Sequence, residues 1–328
     1  MIPKRENPFH GIYASVVCPM RPDFSIDETA LARHTADVIA VSGIVGVLCN
    51  GHSGENFVLT REEKRRVVEV VARSIGDRAI VVCGVNAESS LEAALHAKDA
   101  EAAGADSIMV FAPNGWTLGQ DDEMAIRHHT YVIEATTLPV MLFQASVGAG
   151  RMAYAPDVLA RLVKLPRIVA IKEGSWEVAS YERTRRIARE AAPNVAIMGS
   201  GDEHLFTSYV LGSEGSLVSL AVIMPETIVA LDAAVRRGDL AEARRLHDII
   251  QQLANTIYAT PPGLRATARL KACLKLLGRI PCDATRPPVG PLDAAEIDRL
   301  KAALAAAGLR APVRLRSAGR SVSADSEL

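Results

Sequence analysis

The sequence predicts an α/β fold, a TIM (β/α)8 barrel carrying a C-terminal helical appendage. Eight short apolar runs alternate with longer stretches of helical spacing between residues 12 and 237, the pattern of strand and covering helix repeated around a barrel. No G-x-G-x-x-G follows the first run, so a doubly wound dinucleotide-binding sheet has nothing to support it. After Pro225 the apolar runs stop and only helical patterns follow.

Strands are expected over residues 12–17, 43–49, 79–85, 107–112, 139–144, 168–172, 195–199 and 215–219. Most are continuously apolar and rich in Val and Ile, as strands covered on both faces are. Helices are expected between them over residues 27–41, 60–74, 89–103, 121–136, 156–163, 175–191 and 203–211. Thr60-Arg61-Glu62-Glu63 is a Thr-x-x-Glu capping box, and Ser89 followed by Glu92 makes a second. Gly76, Gly104 and Gly212 stand near helix ends, where a left-handed C-cap is wanted. Further helical spacing covers residues 227–237, 240–257, 267–277 and 294–307, punctuated by Gly238, Pro261-Pro262-Gly263 and Gly278 to Pro281. The first of these is the barrel's eighth helix. The barrel is therefore expected over residues 8–237 and the helical region over 238–310, while 311–328 read as a disordered tail.

A net charge of −1 over 328 residues gives no basic surface for nucleic acid, and 4% aromatics leave few stacking platforms. The five cysteines make no C-x-x-C pair and lie mostly in apolar runs, as buried reduced thiols do. The first residues, Met1-Ile2-Pro3-Lys4-Arg5-Glu6-Asn7, lack a signal-peptide core, and no apolar run reaches the ~18 residues of a membrane span. A cytoplasmic protein with no nucleic-acid or membrane partner is expected.

The run Ile168-Val169-Ala170-Ile171-Lys172-Glu173-Gly174 puts a lysine at the C-terminal end of a buried strand, where barrel active sites gather. Alternation places Lys172 on one face with Ala170 and Ile168, and Val169 and Ile171 on the other. Desolvation there favours the neutral amine, which can attack a carbonyl and form a Schiff base. A lysine that snorkels to solvent or pairs with Glu173 fits the strand equally well.

The loop after the second strand is Cys49-Asn50-Gly51-His52-Ser53-Gly54-Glu55-Asn56. Gly51 and Gly54 flank His52 and Ser53, so backbone N–H groups and one hydroxyl can approach a carboxylate; a self-contained tight turn is the alternative. His52 is a possible acid/base, although a lone loop histidine is commonly solvated. No ligand spacing for a metal accompanies it, and none is expected. His128-His129 falls on a helical pattern and is expected at the surface.

At this point the chain resembles the dihydrodipicolinate synthase / N-acetylneuraminate lyase family over residues 8–309. Gly51-His52-Ser53-Gly54-Glu55 and Leu59-Thr60-Arg61-Glu62-Glu63 resemble its Gly-Thr-Thr-Gly-Glu … Leu-Ser/Thr-x-x-Glu signature. Ile171-Lys172-Glu173 resembles its Schiff-base strand end, and Gly199-Ser200-Gly201-Asp202-Glu203 its Ser-Gly-Asp-Asp segment. Gly212 to Ser219 resembles its eighth-strand turn, Gly-x-x-Gly-x-Ile-Ser. The resemblance implies a homo-oligomer, dimer or tetramer, that acts on pyruvate or another 2-oxo acid without metal or nucleotide cofactor. It makes Lys172 the Schiff-base lysine and Ser53 the hydroxyl that contacts the substrate carboxylate and relays protons. Gly51 and Gly54 keep the loop's shape, Gly201 lies in the substrate-binding segment, and Ser15 and Val218 match pocket-lining positions.

The departures from the family pattern are as informative. Its proton-relay tyrosine on the fifth strand is replaced here by Phe143, in Met141-Leu142-Phe143-Gln144, and a phenyl ring carries no exchangeable proton. Its tyrosine pair after the fourth strand becomes Asn114-Gly115-Trp116, and its loop arginine aligns nearest Gly148. Lysine-biosynthetic condensation is therefore not expected. His52, Ser53 and Gln144 are the substitutes for the missing phenol that the sequence offers, His52 foremost because its pKa lies near working pH. The expected activity is a class I lyase, aldolase or dehydratase. The competing expectation, motivated by Phe143, is a weakly catalytic or non-catalytic paralogue that binds a 2-oxo acid.

Overall fold

Eight parallel strands close into a barrel in chain order: β1 (Gly11–Ser15), β2 (Ile44–Cys49), β3 (Ile80–Val85), β4 (Ser107–Val110), β5 (Val140–Gln144), β6 (Ile168–Glu173), β7 (Ala196–Gly199) and β8 (Gly215–Val218). The computed structural model of the protein describes residues 9–311; the tail expected over 311–328 lies, but for residue 311, outside the described residues. The barrel helices are α1 (Glu28–Ile39), α2 (Arg61–Ile75), α3 (Ser90–Ala102), α4 (Asp122–Glu134), α5 (Pro156–Leu162), α6 (Val178–Ala191), α7 (Leu205–Val210) and α8 (Pro225–Arg236). The first capping box forms, the Thr60 and Glu63 side chains bonding reciprocally to backbone at α2; at α3 only the N-cap half forms, Ser89 accepting the Leu91 N–H while Glu92 lies against His96.

Each strand divides its side chains between two apolar layers. Tyr13, Leu48, Met109, Met141, Met198 and Leu217 fill the barrel interior, while Ile12, Val47, Ile108, Leu142, Ile171 and Ile197 pack under the helices. Strand β6 breaks the alternation. Val140 pairs with Ile168, but the next pair is Met141 with Ala170, so Val169 is an extra residue. Ile168 and Ile171 consequently both face the helices, and Val169 packs toward the interior. This corrects the expected sharing of faces at residues 168 and 169 and leaves Ala170 and Lys172 directed inward. Bulges of this kind re-aim side chains beside active sites.

One further expectation changes. His128 and His129 are buried, not on the surface: His128 Nδ1 meets Ser90 Oγ at 3.0 Å, and His129 bridges Ala125 O at 2.8 Å and Tyr154 Oη at 3.0 Å. A helix between two neighbours presents more than one buried stripe; His129, with both ring nitrogens bonded, is an ordinary core residue, while His128 is bonded through Nδ1 alone among the described residues.

The helices after the barrel are α9 (Leu240–Ala254), α10 (Ala266–Leu276) and α11 (Ala294–Ala306). α9 packs along α8 and runs on into a π-helical turn, Asn255–Ala259. The fully buried Lys271 of α10 forms an ion pair with Glu55 of the loop after β2 and donates to Ala284 O at 2.8 Å. Arg286 adds bonds to Val58 O at 2.8 Å and Phe24 O at 3.0 Å. The appendage thus clamps the glycine loop at the barrel mouth. Among the described residues no helix is long and apolar enough to cross a membrane, and no cluster of His, Cys, Asp and Glu could hold a metal ion.

Candidate active site

Lys172 lies at the C-terminal end of β6, register partner of Phe143 on β5, with its Nζ 5.3 Å from the centre of that ring. Among the described residues no carboxylate lies within salt-bridge distance of the amine and no hydrogen bond engages it. Glu173 points the other way, into the helix layer, where Ser175 N–H and Thr184 Oγ1 each reach it at 3.3 Å. Burial lowers the Lys172 pKa from 10.5 to about 8, with the Asp202 carboxylate opposing the shift. About a tenth of the amine is then free at pH 7.

The cavity above Lys172 holds about 490 Å³, the size of a small-molecule site. Its lower edge is the loop after β2. There the N–H groups of Gly54, Glu55 and Asn56 are bonded to the loop's own carbonyls at 3.0–3.3 Å, so part of the loop is the self-contained turn. The N–H groups of His52 and Ser53 have no such bond among the described residues. Ser53 Oγ meets Ser15 Oγ at 2.7 Å, joining the loop to β1. A Cβ at Gly51 would stand 2.8 Å from Leu48 Cδ2, and one at Gly54 3.3 Å from the Asn50 nitrogen, which is why the loop can lie so low on the barrel.

One wall is aromatic. The His52 ring stacks on Phe111 at 4.4 Å, with Phe57 at 5.2 Å and Phe143 edge-on at 5.5 Å. Enclosed this way, and near Lys172, His52 has its pKa driven to about 3. That favours the neutral ring, and its contacts are those of a wall, in contrast to the solvated histidine the loop suggested. Gln144 is also placed differently from expectation. It follows inward-facing Phe143 and so points out of the barrel, where its amide pairs with both backbone groups of Tyr154 at 3.0 and 3.1 Å.

The opposite wall is polar and was only partly visible in sequence. Gly201, with φ of +82° and no room for a Cβ beside the Trp176 ring at 2.5 Å, turns the chain so that Asp202 and Glu203 line the cavity. Asp202 is 4% exposed, and Leu220 N–H donates to its Oδ1 at 2.8 Å. Burial, reinforced by Glu203, raises its pKa to about 6. Val218 and Ser219 border the cavity from the end of β8. Tyr258, from the π-turn after α9, completes the wall, with Leu264 and Leu270 above it. Nothing in the run around Tyr258 marked it, since no periodicity assigns an appendage side chain to a barrel mouth. The closest signal was the break at Pro261-Pro262-Gly263.

A neutral-prone amine, a hydroxyl and free N–H groups beside it, and a buried carboxyl opposite form a site able to bind an oxo acid and carry out imine chemistry. The model of the dihydrodipicolinate synthetase family matches residues 8–307. The 4-hydroxy-tetrahydrodipicolinate synthase of Anaeromyxobacter sp. (strain Fw109-5) is 31% identical over 302 residues, 92% of this chain and 98% of that protein. That of Neisseria meningitidis serogroup C (strain FAM18) is 30% identical over 91% of this chain and 98% of its own length. Among solved structures, YagE, a prophage protein of E. coli K12 belonging to the dihydrodipicolinic acid synthase family and crystallised with pyruvate, superposes with a TM-score of 0.84 at 27% identity, covering 92% of this chain and 99% of its own. Sequence match, barrel and lysine-centred cavity agree: the chain belongs to the dihydrodipicolinate synthetase family, a family of lysine Schiff-base lyases.

Proposed function

We propose that the protein is a Schiff-base lyase that cleaves, forms or dehydrates a pyruvate-derived 2-oxo acid through Lys172. The observation that carries this reading is the unpaired, desolvated amine of Lys172 on the floor of the cavity. An idle amine in that position costs stability, so its retention fits use as a nucleophile. The free N–H groups of His52 and Ser53 and the Ser53 hydroxyl are suited to the substrate carboxylate. Pyruvate is the half of the substrate favoured by likeness to YagE, which was crystallised with it.

The synthase reaction for which the relatives are named is not the reading favoured here. Phe143 brings no proton to the cavity, and the run Asn114-Gly115-Trp116 brings no tyrosine. Phe143 is also the one observation behind a binding-only paralogue, and the depressed pKa of Lys172 weighs against that. We expect a homo-oligomer; Leu118, 95% exposed in the turn after β4, is the kind of side chain a subunit contact covers. The test is turnover: pyruvate with a panel of aldehydes, and the corresponding 4-hydroxy-2-oxo acids in reverse, with wild type and Lys172→Ala. Turnover lost in the variant supports the reading. No turnover by wild type of any pair favours the binding protein.

A further inference from the structure

We propose that Tyr258 and Asp202 together move the protons that the missing phenol at position 143 cannot. The inference rests on the Schiff-base reading and adds to it the identity of the proton-transfer groups. Tyr258 comes from outside the barrel, and the fold takes trouble to place it. The π-helical turn Asn255–Ala259 carries it to the cavity, and such turns recur at functional sites. Arg269, 2% exposed, caps the end of that turn, donating to Ile257 O at 2.9 Å and Thr260 O at 2.7 Å. Glu296 of α11 holds the guanidinium in place at 3.0 Å. A buried ion pair is thus committed to the conformation of one turn, and that turn's cavity-lining side chain is Tyr258.

The phenol oxygen of Tyr258 is buried and makes no hydrogen bond of good geometry, although the Asp202 carboxyl and the Ser219 hydroxyl lie close enough to interact with it. A buried hydroxyl left without a partner carries a penalty, and a ligand in the cavity would remove it. Asp202 lines the same cavity, close enough that each group shifts the proton affinity of the other. The carboxyl also feels Lys172, whose amine borders the same cavity. The Tyr258–Asp202 contact falls short of ideal hydrogen-bond geometry, and catalytic contacts often tighten only in the complex.

The neutral Lys172 amine adds to the C2 carbonyl of pyruvate, one proton is taken up from solvent, water leaves, and a protonated imine forms. The C3–H bond then breaks; its electron pair becomes the C2=C3 bond of the enamine while the imine π pair moves to nitrogen. The released proton goes to Tyr258 Oη as the phenol's own proton passes to the Asp202 carboxylate. When C3 bonds to an aldehyde carbon, the new alkoxide recovers that proton by the reverse route; water then frees the neutral lysine and the proton taken up at the start returns to solvent.

The experiment separates proton transfer from imine formation. Wild type, Tyr258→Phe and Asp202→Asn are each given pyruvate in D2O, and exchange of the C3 hydrogens is followed by NMR; in parallel, borohydride traps the imine on Lys172. The expected result is trapping in all three proteins, with C3 exchange slowed ~100-fold or more in both variants. Exchange at the wild-type rate in either variant, or a variant that no longer traps, overturns the proposal while leaving Lys172 in its role. Failure of wild type to trap removes the Schiff-base reading itself, and the proposal with it.

Discussion

Replacing Lys172 with methionine should abolish activity and make the protein more stable. Methionine has nearly the volume of lysine and no charge to desolvate. The wild-type amine has a pKa of about 8 in the folded chain against 10.5 in an exposed lysine. At about 1.36 kcal/mol per pH unit the difference is roughly 3 kcal/mol, and solvent at the cavity mouth screens it to about 2–3 kcal/mol. The sign follows from proton linkage. Between pH 8 and 10.5 the unfolded chain binds the proton and the folded one has released it, so wild-type stability rises with pH there. Below pH 8 the cost is present in full. The variant should therefore melt about 5 °C above wild type at pH 7, given ~2 °C per kcal/mol for a chain of this size, and by about half that at pH 9.5. Paired melts by circular dichroism at the two pH values read both quantities. A variant less stable than wild type at pH 7, or a gap that does not narrow as pH rises, would refute the claim that Lys172 is held desolvated and unpaired.

Three other outcomes are expected. The pH profile of kcat/KM should rise from pH 5 to 9 in two steps, as the Asp202 carboxyl at about 6 and the Lys172 ammonium at about 8 lose their protons; because the groups interact, the steps belong to the pair, and a rate falling above pH 7 would contradict the assignment. His52→Phe should keep kcat within about threefold, since His52 acts as wall; a loss of ~100-fold, the usual cost of removing an acid/base, would return His52 to that role. Arg269→Met should cost about 1–3 kcal/mol in urea unfolding, since Ile257 O and Thr260 O lose their donor while Glu296 keeps its pair with Arg265, and at temperatures where it is folded should slow C3 exchange more than imine trapping, because Tyr258 loses its support.

The barrel was legible because its strands are buried on both faces: continuous runs such as those leading to Cys49 and Lys172 can be little else, and the capping residues Thr60 and Ser89 bounded the helices between them. The lysine and the glycine loop were legible for a related reason, since a polar or flexible residue at a strand end stands out against an apolar run. What was not legible depended on contacts across the chain. Val169 is an extra residue only in relation to β5, so alternation within β6 alone misassigned Ile168. His128 and His129 look like surface residues until Ser90 and Tyr154 are brought beside them. Gln144 looked available for chemistry until Tyr154 took both ends of its amide. Tyr258 reaches the site through a π-turn whose end is held by an arginine on the next helix, and no local pattern encodes that.

The central claim is that Lys172 forms an imine with a 2-oxo acid, and it is tested most directly by borohydride reduction in the presence of pyruvate, followed by peptide mass spectrometry. The expected result is a reduced pyruvyl group on the peptide that carries Lys172, absent from Lys172→Ala and absent without pyruvate. An unmodified Lys172 peptide, with pyruvate and longer 2-oxo acids each tried at saturating concentration, would contradict it and leave a barrel that binds without imine chemistry.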